Sequence, residues 1–93
     1  MSWFVTRVEL HDASRSDYTQ LHEAMRKQGF TLDIVGSDGT RYSLPPAEYY
    51  YDGTVSRGDV IGKAKKAAES VKTPFAVIVT EALGSTWYGL KVV

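Results

Sequence analysis

The stretch from Ser56 to Val71 constrains this chain more than any other. Val60, Ile61, Ala64, Ala67, Ala68 and Val71 recur at helical spacing and form one apolar stripe, with Lys63, Lys65, Lys66 and Glu69 opposite. Ser56 followed three residues later by Asp59 is a hydroxyl-plus-acid start signal for that helix. A helix that is apolar on one side must lay that side on a partner surface. In 93 residues there is room for one core, so the rest of the chain has to supply that surface.

It supplies strands. Residues 2–10, "SWFVTRVEL", carry the β-branched and aromatic content of a strand, with Phe4, Thr6, Val8 and Leu10 on one face and Trp3, Val5, Arg7 and Glu9 on the other. A first helix follows, started by Ser14 and Asp17, lined by Tyr18, Leu21 and Met25, and stopped at Gly29. "FTLDIVG" then alternates Phe30, Leu32 and Ile34 inward, "SDG" turns the chain, and "TRYSL" returns. Pro45-Pro46 breaks regular pairing, and "AEYYYDGT" is a further extended segment with Tyr49 and Tyr51 on one face and Tyr50 on the other. "PFAVIVTEA" is apolar on both faces and predicts an inner strand, while "WYGLKVV" offers a short terminal strand. The expected fold is α+β: a single ferredoxin-like βαββαβ domain over residues 1–93, its antiparallel sheet carrying two helices on one face. Trp87 and Leu90 are the residues with which a swapped terminal strand would complete a partner's sheet.

Several functional classes fall away. Cysteine is absent, which removes disulfides and thiolate metal sites. With two histidines, no HExxH and no carboxylate-rich loop, no metal and no cofactor is expected; Walker-type loops and the hydrolase elbow are absent too. Neither a leader-like apolar core nor a membrane-length run occurs, so a cytoplasmic protein off the membrane is expected. Eleven basic and eleven acidic side chains cancel, which disfavours a bulk-basic nucleic-acid binder and gives no reason to expect DNA as a partner.

What is left is a small set of polar residues. His11 and Asp12 sit where the first strand hands over to the first helix; an acid–base pair there competes with a helix-capping aspartate beside a solvated histidine. Arg15, His22 and Arg26 fall on one flank of the first helix, where three cation-capable groups either follow a phosphodiester backbone or form a solvated flank. The lysines of the second helix read as its wet side, and the tyrosine run as packing or dimer contact.

The runs "FVTRVELHDASRSDYTQLHEAMRKQGF", "SDGTRYSLPPAEYYYDGTVSRGDVIGKAKKAA" and "FAVIVTEA" together resemble the GhoS-type endoribonuclease antitoxins of type V toxin–antitoxin systems. The likeness covers about residues 3 to 82, in element order, in the Leu21…Met25…Gly29-Phe30 pattern and in the Arg41…Leu44 hairpin. It implies a fold like that of the small CRISPR-associated ferredoxin-like nucleases. It also implies a cytoplasmic protein that cleaves the messenger RNA of a membrane-lytic toxin with little or no need of metal. An aspartate near the end of the first strand in those nucleases corresponds to Glu9 or Asp12 here. The antitoxin pattern has an arginine directly after the residue matching Leu21, and this chain has His22.

The resulting expectation is RNA cleavage by a homodimer. His22 acts as base or cation, His11 and Asp12 are the alternative acid–base pair, and Arg15, Arg26, Arg7 and Arg41 hold RNA. The competing expectation is a non-catalytic homodimeric module that binds RNA or protein on the open sheet face around Trp3, Val5 and the tyrosines.

Overall fold

A computed structural model describes residues 2–93. Seven elements follow in order: β1 (Ser2–Leu10), α1 (Arg15–Lys27), β2 (Asp33–Val35), β3 (Arg41–Ser43), β4 (Glu48–Gly53), α2 (Arg57–Glu69) and β5 (Phe75–Ala82). The main sheet is antiparallel, in the order β4-β1-β5, and a separate two-stranded ribbon joins β2 to β3. The fold is a small α+β arrangement with both helices on one face of the main sheet.

The period-two pattern of β1 explains its central place. Phe4, Thr6, Val8 and Leu10 are all buried, and the alternate residues face away from the helices. β1 pairs with β4 from Ser2↔Gly53 to Arg7↔Glu48 and with β5 from Trp3↔Ala82 to Leu10↔Phe75. The inner strand is therefore β1. "FAVIVTEA" is an edge strand hydrogen-bonded to β1 alone, which corrects the expectation drawn from its two apolar faces. Its helix-side residues Phe75, Val77 and Val79 join the core, whereas Ile78 on the other face is 62% exposed.

Both helices begin in reciprocal caps. Ser14 Oγ accepts from the Asp17 amide at 3.1 Å while the Asp17 carboxylate accepts from the Ser14 amide at 2.9 Å. Ser56 and Asp59 repeat the arrangement at 3.1 Å in both directions. Each box stabilises its helix by about 1 kcal/mol. The bonds from the cap amides hold both carboxyls below the usual carboxylate range. α1 is closed by Gly29, whose φ of +96° suits glycine and where an added Cβ would come within 3.2 Å of the Tyr51 ring. α1 contributes Leu21 and Met25 to the core, and α2 contributes Val60, Ala64, Ala67 and Ala68. The small side chains of α2 let it lie close on β1 and β5.

After Phe30 the chain is hydrogen-bonded to the outer edge of β4 at Thr31, where two backbone bonds of 2.9 and 2.8 Å join it to Tyr50. It then peels away into the ribbon. Asp38 closes the ribbon's turn by accepting from the Thr40 amide at 2.9 Å, and the proline pair after Leu44 ends it. The terminal segment folds back onto its own chain: Tyr42 bridges Val92, the Ser43 amide donates to Lys91 O at 2.8 Å, and Trp87 packs on Tyr42 with ring centroids 5.4 Å apart. Trp87, one of the two residues named for a swapped strand, thus packs on the ribbon of its own chain.

Candidate functional site

The two histidines occupy unrelated places. His22 projects from the middle of α1 toward β4, and its Nδ1 lies 2.8 Å from the Tyr49 hydroxyl. Tyr49 is completely buried, with its ring edge-on to Phe30. Burial pushes the Tyr49 phenol well above the ordinary tyrosine range, so it keeps its proton. Burial, and then the nearby Arg26 charge, push the His22 imidazole below the ordinary histidine range. The buried phenol proton has this ring nitrogen as its acceptor among the described residues, and donating to it satisfies the hydroxyl with Nδ1 as acceptor and the ring proton on Nε2. The half-buried His22 thereby satisfies a core hydroxyl while offering a donor on its other side.

The other candidates scatter. On the His22 flank, Arg26 is held by Glu23 at 2.6 Å and Arg15 projects into solvent. At the end of β1, His11 lies 3.9 Å from Glu9 and makes no bond to Asp12. Asp12 has φ +53° and takes no part in capping α1, a role filled by Ser14 and Asp17. Arg7 stands opposite Glu48 at 3.8 Å on the sheet face away from the helices. Arg41 is bound to Asp33 at 2.6 Å on the ribbon. His22 is therefore not joined to His11 or Asp12, and Arg7 and Arg41 lie away from the α1 flank. Among the described residues there is no group of three or more His, Asp or Glu side chains placed to hold a metal ion.

A different grouping emerges from the fold. The two helices and their closing turns carry Arg15, Arg26, Lys27, Arg57, Lys63, Lys65, Lys66 and Lys72 against Asp17, Glu23, Asp59 and Glu69. The strands, ribbon and terminal segment carry the remaining three basic and seven acidic residues. Counted by element, a chain of zero formal charge is thus +4 on its helices and their closing turns and −4 on the rest, with Glu81 of β5 turned to the helical side, 3.9 Å from Arg57. Among the described residues, Arg15, Lys27, Lys63, Lys65 and Lys66 have no carboxylate within salt-bridge distance. Lys27 and Lys66 border a groove of about 520 Å³ between the helices, together with Gln20, Gln28, Ser70 and Glu23, whose carboxylate is held by Arg26. Lys63 lies 6.0 Å from the Tyr51 ring. Unpaired ammonium and guanidinium groups around amide and hydroxyl donors make a surface suited to phosphates. The net charge concealed this group, and adding charges element by element would have revealed it.

The opposite face has a different chemistry. Trp3 stacks on Tyr50 at 5.8 Å, and the Tyr42–Trp87 pair stands across from them around a groove of about 560 Å³. A second groove of about 780 Å³ runs beneath the terminal segment, between Val5 and Ala82 of the sheet and Ile34 and Leu44 near the ribbon. Tyr50, foreseen on this face, is there, while Tyr49 and Tyr51 pack inward. No helix among the described residues is long and apolar enough to cross a membrane. No protein-family model matches this chain, and no curated protein matches it.

Proposed function

We propose that this chain is a ferredoxin-like, cytoplasmic RNA-binding module that holds the phosphate backbone across its helical side. In that reading the Thr31–Tyr50 bridge stands for a fourth strand beside β4, giving the order β5-β1-β4-β2. The observation that carries the RNA reading is the concentration of unpaired cations on the helices, five of them in a chain whose formal charges cancel. The resemblance to antitoxins that act on a toxin's messenger RNA names the polyanion; the charge layout names the surface. Binding then depends steeply on salt, because each phosphate neutralised releases a counterion.

The test is fluorescence anisotropy with labelled single-stranded and hairpin RNAs, and DNA controls, across a salt series. Lys63→Ala, Lys66→Ala and Arg15→Ala should each weaken binding and each reduce the log–log salt slope by about 0.7 on single strands. Charge removal at Arg7 or Arg41, on the other side, should leave the slope unchanged. RNA binding that is absent, or that follows Arg7 and Arg41 instead, refutes the assignment.

Cleavage is the second reading, favoured by the position of His22 beside Arg26 on the same flank. In metal-free cleavage the ribose 2′-oxygen bonds to the adjacent phosphorus as its proton passes to solvent. The P–O5′ bond breaks with the 5′-oxygen taking a proton from solvent, leaving a 2′,3′-cyclic phosphate and a 5′-hydroxyl. With Tyr49 on Nδ1 and the proton on Nε2, His22 serves as a donor to the phosphorane oxygens, alongside Arg15. The same RNAs, analysed for strand scission with wild type and His22→Gln, separate a nuclease from a binder. Scission undiminished in His22→Gln removes His22 from the chemistry.

A further inference from the structure

The free edge of β5 is the least protected part of the fold. β5 is eight residues long, and among the described residues its only ladder partner is β1. Its outward amides and carbonyls face away from the sheet along its full length. Natural edge strands are usually short, bent, or guarded by lysine or proline. β5 is not short, and although Pro74 precedes it, it contains neither lysine nor proline: "FAVIVTEA" holds one charge, Glu81, near its end, and Ile78 at its middle is 62% exposed.

From this edge we infer that two copies join β5 to β5, antiparallel about a two-fold axis perpendicular to the sheet, with Ile78 facing Ile78 of the partner subunit. Such an axis keeps each face of the sheet on its own side. Residues directly opposite must then share a face, which restricts the pairing to even sums of residue numbers. Centring on Ile78 sets Ala76 against Thr80 and Val77 against Val79, and places Glu81 against Phe75 rather than another carboxylate. The most exposed large apolar side chain of the main sheet becomes a buried pair on the axis. The strand's outward backbone groups gain partners, and one six-stranded sheet results. All four helices lie on one side of it, doubling the cationic surface. The two positive sides repel across the axis, so this association tightens as salt rises, the reverse of a contact driven by opposite charges. The pairing stands on the strand edge alone and does not require RNA.

The chain has no cysteine, so a single introduced thiol reports on the register. Directly opposed residues of an antiparallel pair have Cα atoms about 4.5–5.5 Å apart, within disulfide reach. Ile78→Cys should therefore cross-link to a covalent dimer under mild oxidation. Ala76→Cys, whose copies lie about 13 Å apart in this register, should stay monomeric on a non-reducing gel. In sedimentation equilibrium the wild type should be a dimer. Ile78→Lys, at a position exposed in the single chain, should keep the wild-type circular dichroism and weaken dimerisation on the order of 30-fold or more. A wild type that is monomeric at all concentrations overturns the inference. So does cross-linking of Ala76→Cys as fast as Ile78→Cys.

Discussion

The His22–Tyr49 bond makes a sharp energetic prediction, because its two ends differ in access to water. Tyr49 is completely buried and its hydroxyl bonds to His22 Nδ1 alone, whereas His22 is half-buried. His22→Ala strands the phenol in the core, which costs about 1–3 kcal/mol. Tyr49→Phe deletes the hydroxyl and leaves the imidazole of a partly exposed residue, whose ring can turn Nδ1 toward water, so mainly the net bond is lost, about 0.5–1.5 kcal/mol. Once the hydroxyl is gone, removing His22 as well costs little more, and the coupling between the two sites should be about 1 kcal/mol. Urea unfolding of wild type, both single variants and the double variant measures all four corners. Repetition between pH 5 and 8 adds a second signature. His22 binds its proton less readily in the folded chain than in the unfolded one, so the unfolded state takes up more protons as pH falls. Stability is therefore full above the unfolded histidine value of about 6.5 and declines as pH drops below it. That decline should persist in Tyr49→Phe, shrink in Arg26→Ala and lose its His22 component in His22→Ala. The reasoning is refuted if Tyr49→Phe costs more than His22→Ala, or if the coupling lies within about 0.3 kcal/mol of zero.

Two further substitutions test the packing. Thr6 is fully buried on the core face of β1 and its hydroxyl has no partner, so Thr6→Val should stabilise the fold by about 1 kcal/mol. That gain should appear as a rise of roughly 4–8 °C in the calorimetric midpoint. Gly62 is an exposed interior residue of α2, and a Cβ added there meets nothing within 4 Å. Gly62→Ala should therefore add about 0.5–1 kcal/mol in urea titration without altering RNA binding.

The elements that residue spacing identifies well are those whose signals are local. The alternation of β1 runs through one strand, the Ser-x-x-Asp boxes close within one turn, and the Tyr49/Tyr50/Tyr51 alternation needs only the pleat. "FAVIVTEA" misleads because period counting cannot tell an inner strand from an edge strand that leaves an isoleucine in solvent. The ribbon is shorter than its alternating sequence suggests, since only Thr31 stays bonded to β4 before the chain peels away. The His22–Tyr49 bond spans 27 positions and joins a helix to a strand, so it follows from packing and leaves no pattern along the chain. The same holds for the cations. Arg15 is far in sequence from Lys63 and Lys66, and only the shared helical layer places them on one side.

The placement of charge also bears on handling the protein. The excess of positive charge on the helices and of negative charge on the other elements makes the molecule an electric dipole with a sequence pI of about 6.7. Near neutral pH net repulsion between molecules vanishes, and the helices of one attract the sheet side of the next. The screening length is about 30 Å at 0.01 M salt and about 10 Å at 0.1 M. The first additions of salt therefore dissolve such contacts, and the protein should salt in before it salts out. A cation exchanger and an anion exchanger at pH 7 each find a complementary side on it, so the choice of resin decides which face is presented to the liquid.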